Sequence, residues 1–228
     1  MKALVDCDGA GRTYGVGATA TVALQPTDCT VEADDRIALV GPSGSGKSTL
    51  LLIMAGLEQP TAGSVRWPAI GDRAALRPGP VAVVFQGPSL LAPLTVQENV
   101  ALPLILAGTR DAPARVAARE ALESLALAEL CDKLPEEISG GQAQRVAVAR
   151  ALAGEPVLIL ADEPTGQLDA ASAAMVIDVL LAAAEHAGAA LVVATHDPLV
   201  AARLSDVWEL HGGRLAAAGD SRERTWSR

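Results

Sequence analysis

The run Gly41-Pro42-Ser43-Gly44-Ser45-Gly46-Lys47-Ser48-Thr49 gathers small residues, one ammonium and several hydroxyls in one short segment. The spacing G-x-x-x-x-G-K-[ST] suits a loop whose backbone N–H groups wrap a polyphosphate, because glycine has no Cβ to block close approach. Ile37-Ala38-Leu39-Val40 before it and Leu50-Leu51-Leu52-Ile53-Met54 after it supply the strand and helix that such a loop joins. A helix starting near Lys47 turns its positive end toward the phosphates. Lys47 then reaches the β- and γ-phosphates, and Ser48 ligates the Mg²⁺ between them. The expected ligand is a nucleoside triphosphate with Mg²⁺. The alternative is a plain Gly/Ser turn, which chance gives rarely when the chain has so few lysines.

Two further runs carry groups suited to the same chemistry. Leu158-Ile159-Leu160-Ala161-Asp162-Glu163-Pro164 ends an apolar strand in two carboxylates. Asp162 would position Mg²⁺ directly or through water, and Glu163 would polarise the water that attacks the γ-phosphate. Adjacent strand residues face opposite ways, but Pro164 confines Glu163 to an extended or turning geometry that lets both carboxylates meet one cleft. Alone, the run would read as a surface turn. Ile138-Ser139-Gly140-Gly141-Gln142-Ala143-Gln144-Arg145 opens a helix that runs to about Ala153. Ser139 can cap it, and Gly140 and Gly141 expose N–H groups at its positive end, a second anion site. By itself that run is an ordinary helix start, yet a chain with one nucleotide loop seldom needs two phosphate cradles.

The elements that must position these groups alternate. Sequence rich in β-formers covers Ala3 to Val31, and Val81 to Phe85 reads as a buried strand that ends at Gln86. From Thr95 to Leu130 the pattern is helical, amphipathic over Ala114 to Leu127, with Pro103 kinking or interrupting the first helix. Val157 to Leu160 and Ala190 to Ala194 are apolar strands separated by a helix from about Ala170 to His186. Alternating strands and helices imply a parallel sheet with its ligand at the carboxyl ends of the strands. Glu209 to Ala216 resembles a hairpin turned at Gly212-Gly213, and Asp220 to Arg228 reads as a disordered polar tail. No internal repeat is visible, so one nucleotide unit per chain is expected.

Composition narrows the classes. Half of the 228 residues are apolar, but none of the runs approaches the roughly 18 uninterrupted apolar residues of a membrane span. The first residues lack a secretory core and cleavage site, which predicts a cytoplasmic location. Cys7, Cys29 and Cys131 have no metal-ligand spacing and are expected to be reduced and incidental. A formal charge of -9 with scattered arginines offers no basic stripe, so nucleic acid is not an expected partner.

Taken in order, Gly41 to Ser48, Gln86, Ser139 to Gln142, Asp162-Glu163 and His196 resemble an ATP-binding cassette (ABC) ATPase, with motifs spanning Tyr14 to Asp197. The resemblance implies an α/β fold: a P-loop NTPase core with a mostly parallel sheet, an N-terminal antiparallel β subdomain and an inserted α-helical subdomain. The boundaries it suggests are a single ABC ATPase domain over 1–228, with the core at about 1–86 and 155–218, the helical part at about 87–154 and a tail at 219–228. It makes Gln86 the residue sensing Mg²⁺ and γ-phosphate, Ser139 to Gln142 the signature, and His196 the switch histidine; alone, His196 would read as a satisfied core residue. Tyr14, the chain's only tyrosine, matches the adenine-stacking residue, or else it simply packs in the N-terminal sheet. Asp169 falls on the loop that crosses to the opposite subunit, and it also suits a helix cap.

Leu94 to Leu104 and Asp162 to Asp169 are similar to ATPase subunits of macrolide-efflux, lipoprotein-release and permease-like cell-division complexes. Gln167 in place of Asn, Ile138 in place of Leu and a shortened Ser64 to Pro80 depart from that pattern without removing a catalytic group. The resemblance implies ATP and Mg²⁺ as ligands, a membrane permease as partner, a second copy or a paralogous ATPase subunit completing the site, and a peripheral place on the cytoplasmic face of the membrane. The docking region it implies lies between Gly87 to Leu94 and the Thr95 to Leu130 lobe. Two other readings stand beside transport: a mechanical regulator of a cell-wall enzyme, and an ATPase acting on DNA or ribosomes, which the acidic charge and single cassette oppose.

Overall fold

A computed structural model describes residues 2–87, 89–166 and 168–216. Strands β1 (Val5–Tyr14), β2 (Thr21–Val31) and β4 (Ala62–Arg66) form an antiparallel sheet in the order β2-β1-β4. Strands β3 (Arg36–Val40), β5 (Val81–Val84), β6 (Leu158–Asp162), β7 (Ala190–Thr195), β8 (Asp206–His211) and β9 (Arg214–Leu215) form a second sheet in the order β5-β6-β7-β3-β8-β9. Its pairs are parallel except β8 with β9, which closes the expected hairpin.

The second sheet is buried on both faces, and the two-residue period of its strands assigns side chains to each. Ile159 and Ala161 of β6 and Leu191 and Val193 of β7 face a core shared with the helices. These are α2 (Val96–Leu106), α3 (Asp111–Ser124), α4 (Gly140–Leu152) and α5 (Ala170–Ala187). Leu158, Leu160, Val192 and Ala194 face the other core, filled by helix α1 (Lys47–Met54) and by Val5, Leu24 and Val31 of the antiparallel sheet. Near-continuous apolar strands are what a sheet covered on both sides requires.

Several local expectations change. Pro103 does not interrupt α2, which continues through it to Leu106. The proline removes one intrahelical bond and crowds the carbonyl four residues back, but this helix is anchored at its start by a Thr95–Glu98 capping box. The amphipathic helix ends at Ser124 rather than Leu127, because Ala126 takes φ +54°. Strand β4 lies partly inside the segment read as shortened, pairing with β1. Cys7 and Cys29, distant in sequence, stand opposite each other in the β1–β2 register as free thiols. The neighbouring Cys7 thiol and burial push Cys29 well above the ordinary thiol range. Among the described residues no cluster of three or more metal-binding side chains occurs.

Helix α5 is long and apolar enough by length and composition to cross a membrane. Its inner face, Val176, Ile177, Leu180 and Ala184, packs in the helical core. Gln167 and the expected tail at 220–228 lie outside the described residues.

Candidate functional site

The loop from Gly41 to Gly46 leaves β3 and enters α1 at the carboxyl edge of the parallel sheet, where the neighbouring strand β7 ends at Thr195 and β6 at Asp162. Gly46 is the N-cap of α1 at φ +104°, and a Cβ there would stand 2.4 Å from the Ala23 carbonyl oxygen. Only glycine fits that backbone and that approach. A cavity of about 350 Å³ opens over the loop, lined by Ser43 to Thr49, Ala23, Gln86, Glu163 and His196.

Charge in the cavity is organised around Glu163. Its Oε1 lies 3.4 Å from Lys47 Nζ, and its Oε2 lies 2.9 Å from His196 Nδ1. Lys47 also donates to the Gly41 and Pro42 carbonyls at 2.8 and 3.2 Å. The Lys47 and Glu163 side chains are only 7% and 13% exposed, whereas His196 is 66% exposed. Glu163 follows the last residue of β6 at φ +46°, a left-handed backbone a glutamate adopts only under constraint. Its N–H donates to Ala194 O at 2.9 Å and its carbonyl accepts from Gly166 N–H at 3.1 Å. That turn aims the carboxylate over the loop.

Asp162 sits one residue back, beside the Ser48 hydroxyl. Burial pushes its carboxyl above the ordinary range, against the opposing pull of its hydrogen bond to Ser48 and of the Lys47 charge. Its Oδ1 is buried with no hydrogen-bond partner. A buried, unpartnered carboxylate oxygen next to a hydroxyl is a donor set that fits a hard cation such as Mg²⁺. Ser48, Gln86 and Asp162 are the residues that would hold it.

Other expected site residues lie elsewhere. Ser139 and Gln142 form a reciprocal capping box at the start of α4: Gln142 N–H donates to Ser139 Oγ at 3.3 Å and Ser139 N–H to Gln142 Oε1 at 2.8 Å. Neither they nor Gly140 and Gly141 line the cavity. A Cβ on Gly140 would meet nothing within 4 Å, and one on Gly141 would meet nothing closer than Ser172 Oγ at 3.7 Å. Within the described residues, packing therefore does not require glycine at either position. Asp169 caps α5, accepting from the N–H groups of Ser172 and Ala171 at 3.0 Å each and from the Ser172 hydroxyl at 2.7 Å, and these bonds, those from Ser172 first, hold its carboxyl below the ordinary range. Tyr14, at the end of β1, does not line the cavity; the Arg12 guanidinium stands 4.7 Å from its ring centre.

The sequence pattern did not single out Asn99. It is fully buried on α2, accepts from the Leu91 N–H at 2.7 Å, and donates to the carbonyls of Leu91 and Leu94 at 3.1 and 3.0 Å. It thereby fixes the loop after Gln86, in which Leu90 packs inward and Leu91 stays 46% exposed. Its only signal was a polar residue inside an apolar helix. Pro88 in this loop lies outside the described residues. A second cavity of about 400 Å³ lies nearby, lined by Val81 to Val83, Leu102, Pro103, Leu106 and Arg150 among others.

A phosphate loop at the carboxyl edge of a parallel sheet, facing a buried Lys47–Glu163 pair with the exposed His196 on its outer side, defines a P-loop ATPase. Comparison with known proteins gives the family. The ABC transporter family profile matches residues 24–166. The chain is 41% identical over 220 residues to an uncharacterised ABC transporter ATP-binding protein of Mycobacterium tuberculosis, covering 93% of this chain and 89% of that protein. It is 42% identical to the lipoprotein-releasing system ATP-binding protein LolD of Legionella pneumophila, covering 90% and 94%. Among solved structures it resembles the ATP-binding cassette MJ0796, dimeric in a post-hydrolysis state with ADP and Pi, at a TM-score of 0.85 and 34% identity over 96% of this chain and all of that one. The chain belongs to the ABC transporter family and is one of its ATP-binding, ATP-hydrolysing cassettes.

Proposed function

We propose that two copies of this chain close on ATP, each nucleotide held between the Gly41 to Thr49 loop of one and Ser139 to Gln142 of the other, and that closure drives a separate membrane permease. The observation that carries this reading is the pair Gly140-Gly141 in the first turn of α4, at its positive end. Among the described residues no packing calls for glycine there, so the absent side chains suit close approach by a group from outside. The similar cassette MJ0796, dimeric with ADP and Pi bound, supports the pairing of two copies.

In this reading Lys47 holds the β- and γ-phosphates, and Glu163 accepts the proton of the attacking water. With Glu163 ionised, His196 Nδ1–H donates to it and holds the carboxylate in place. Mg²⁺ at Ser48, Gln86 and Asp162 would neutralise charge on the phosphates. Tyr14 would stack on the adenine, and Asp169 would reach the second copy while capping α5.

The permease would dock over exposed Leu91 and Leu106 and the neighbouring second cavity, since an apolar groove beside the Gln86 loop is where closure can be passed on. The likeness to LolD supports a lipoprotein-release type of work, with the chain peripheral on the cytoplasmic side of the membrane. Reconstitution of the chain with its permease in proteoliposomes tests this. ATP-dependent release of a lipoprotein is the expected result, and stimulated hydrolysis without release would leave the mechanical alternative in its place.

A further inference from the structure

Two side chains of α4 hold the backbone on either side of Gln86. Gln144, only 3% exposed, donates from Nε2 to the Phe85 carbonyl at 3.2 Å. Six residues on, about 9 Å along the helix, Arg150 donates to the Ser89 carbonyl and hydroxyl, at 2.9 Å each. Ser89 takes φ +45°, a left-handed backbone that serine keeps only where its surroundings impose it. The neighbours of Gln144 on α4, Ala143, Val146, Ala147 and Val148, are buried and apolar. A buried amide among them is costly unless it is bonded, and the bond it makes goes to the residue before Gln86.

We infer that Gln144 is a positioning residue which, together with Arg150, fastens the Gln86 loop to the helix that begins at Ser139, so that Gln86 and the second anion site move as one body. The inference rests on the reading of Gln86 as a nucleotide contact. Gln144 itself does not line the nucleotide cavity. Movement of Gln86 with bound nucleotide is carried through the Phe85 and Ser89 bonds to α4 and reorients Gly140 and Gly141. Loosening the Gln144 tie leaves the Gly41 to Thr49 loop intact, so nucleotide still binds, but the two anion sites no longer close together.

The test is steady-state ATP hydrolysis by Gln144→Met, Gln144→Glu, Gln86→Ala and the Gln144→Met/Gln86→Ala double variant, each confirmed as folded by circular dichroism. Met fills the same space without a donor, and a glutamate carboxylate cannot donate to the Phe85 carbonyl. Misplacement in a catalytic constellation costs up to about 10²-fold, so kcat should fall about tenfold or more in both Gln144 variants while KM for MgATP stays within about twofold. The double variant should be no slower than Gln86→Ala alone. If Gln86→Ala hydrolyses ATP at the wild-type rate, the nucleotide-site reading of Gln86 fails and the inference with it. If Gln86→Ala is slow but Gln144→Met is not, or if the two losses multiply, the site reading stands and the positioning role of Gln144 is overturned.

Discussion

Glu163 Oε2 lies 2.9 Å from His196 Nδ1, and the other oxygen of the same carboxylate faces Lys47 Nζ at 3.4 Å. The two residues follow the ends of neighbouring parallel strands whose register sets Asp162 against Ala194. A one-residue slip of β6 against β7 would turn its side chains to the opposite face. Sheet register, and not only motif chemistry, therefore brings Glu163 and His196 together.

The Glu163 contacts separate binding from chemistry. Lys47→Ala should weaken ATP binding at least about tenfold, since charge-assisted bonds contribute about 1.5–3 kcal/mol. If His196 orients Glu163 as proposed, His196→Ala should leave affinity within about twofold and lower kcat between about tenfold and 10²-fold, since its Nδ1 meets that carboxylate. Titration with a fluorescent ATP analogue, together with turnover, checks both. Equal loss of affinity in the two variants would reject the role given to His196.

Docking can be tested apart from hydrolysis. Leu91 and Leu106 are 46% and 69% exposed and contribute little to the core. Leu91→Asp, Leu94→Asp and Leu106→Asp should each bind ATP as the wild type does, yet fail to recover the permease in a pull-down. Undiminished recovery with all three would place the coupling surface elsewhere.

Legibility in the sequence followed locality. The loop from Gly41 to Thr49, the strand running into Asp162 and Glu163, and the Ser139 and Asp169 caps depend on neighbours in the chain, so spacing was enough to find them. The pairing of β4 with β1 joins residues more than fifty positions apart, and short strands of mixed character do not announce such partners. The Asn99 clamp and the Gln144 bond to Phe85 were hidden for the same reason. Each is a buried polar residue among several polar residues of its helix, and its meaning comes from carbonyls outside that helix. Whether Pro103 interrupts its helix was not legible, because that depends on how firmly the helix is anchored elsewhere.

Helix α2, which carries the Asn99 clamp, should show an acid-sensitive stability. The Thr95 N–H donates to Glu98 Oε2 at 2.9 Å and Arg115 to Oε1 at 3.1 Å, and these bonds, the backbone one first, hold the carboxyl below its ordinary 4.5. The folded protein thus binds this proton less tightly than the unfolded chain, so the stabilisation is complete above about pH 4.5 and is lost as pH falls through the lower folded value. Glu98→Ala should melt below the wild type at neutral pH, with the gap shrinking in acid. A gap independent of pH would show that the charge contributes nothing.

The central claim is that the site is completed by a second copy. Glu163→Gln removes the proposed base, so hydrolysis should slow on the order of 10²-fold or more while ATP remains bound. Light scattering after size exclusion should then move from one 23.2 kDa chain to twice that mass when MgATP is added to Glu163→Gln. Adding Ser139→Arg to the same variant should return it to the single-chain mass with ATP still bound to its loop. A single-chain mass for ATP-saturated Glu163→Gln, or a dimer that forms regardless of Ser139, would contradict the account.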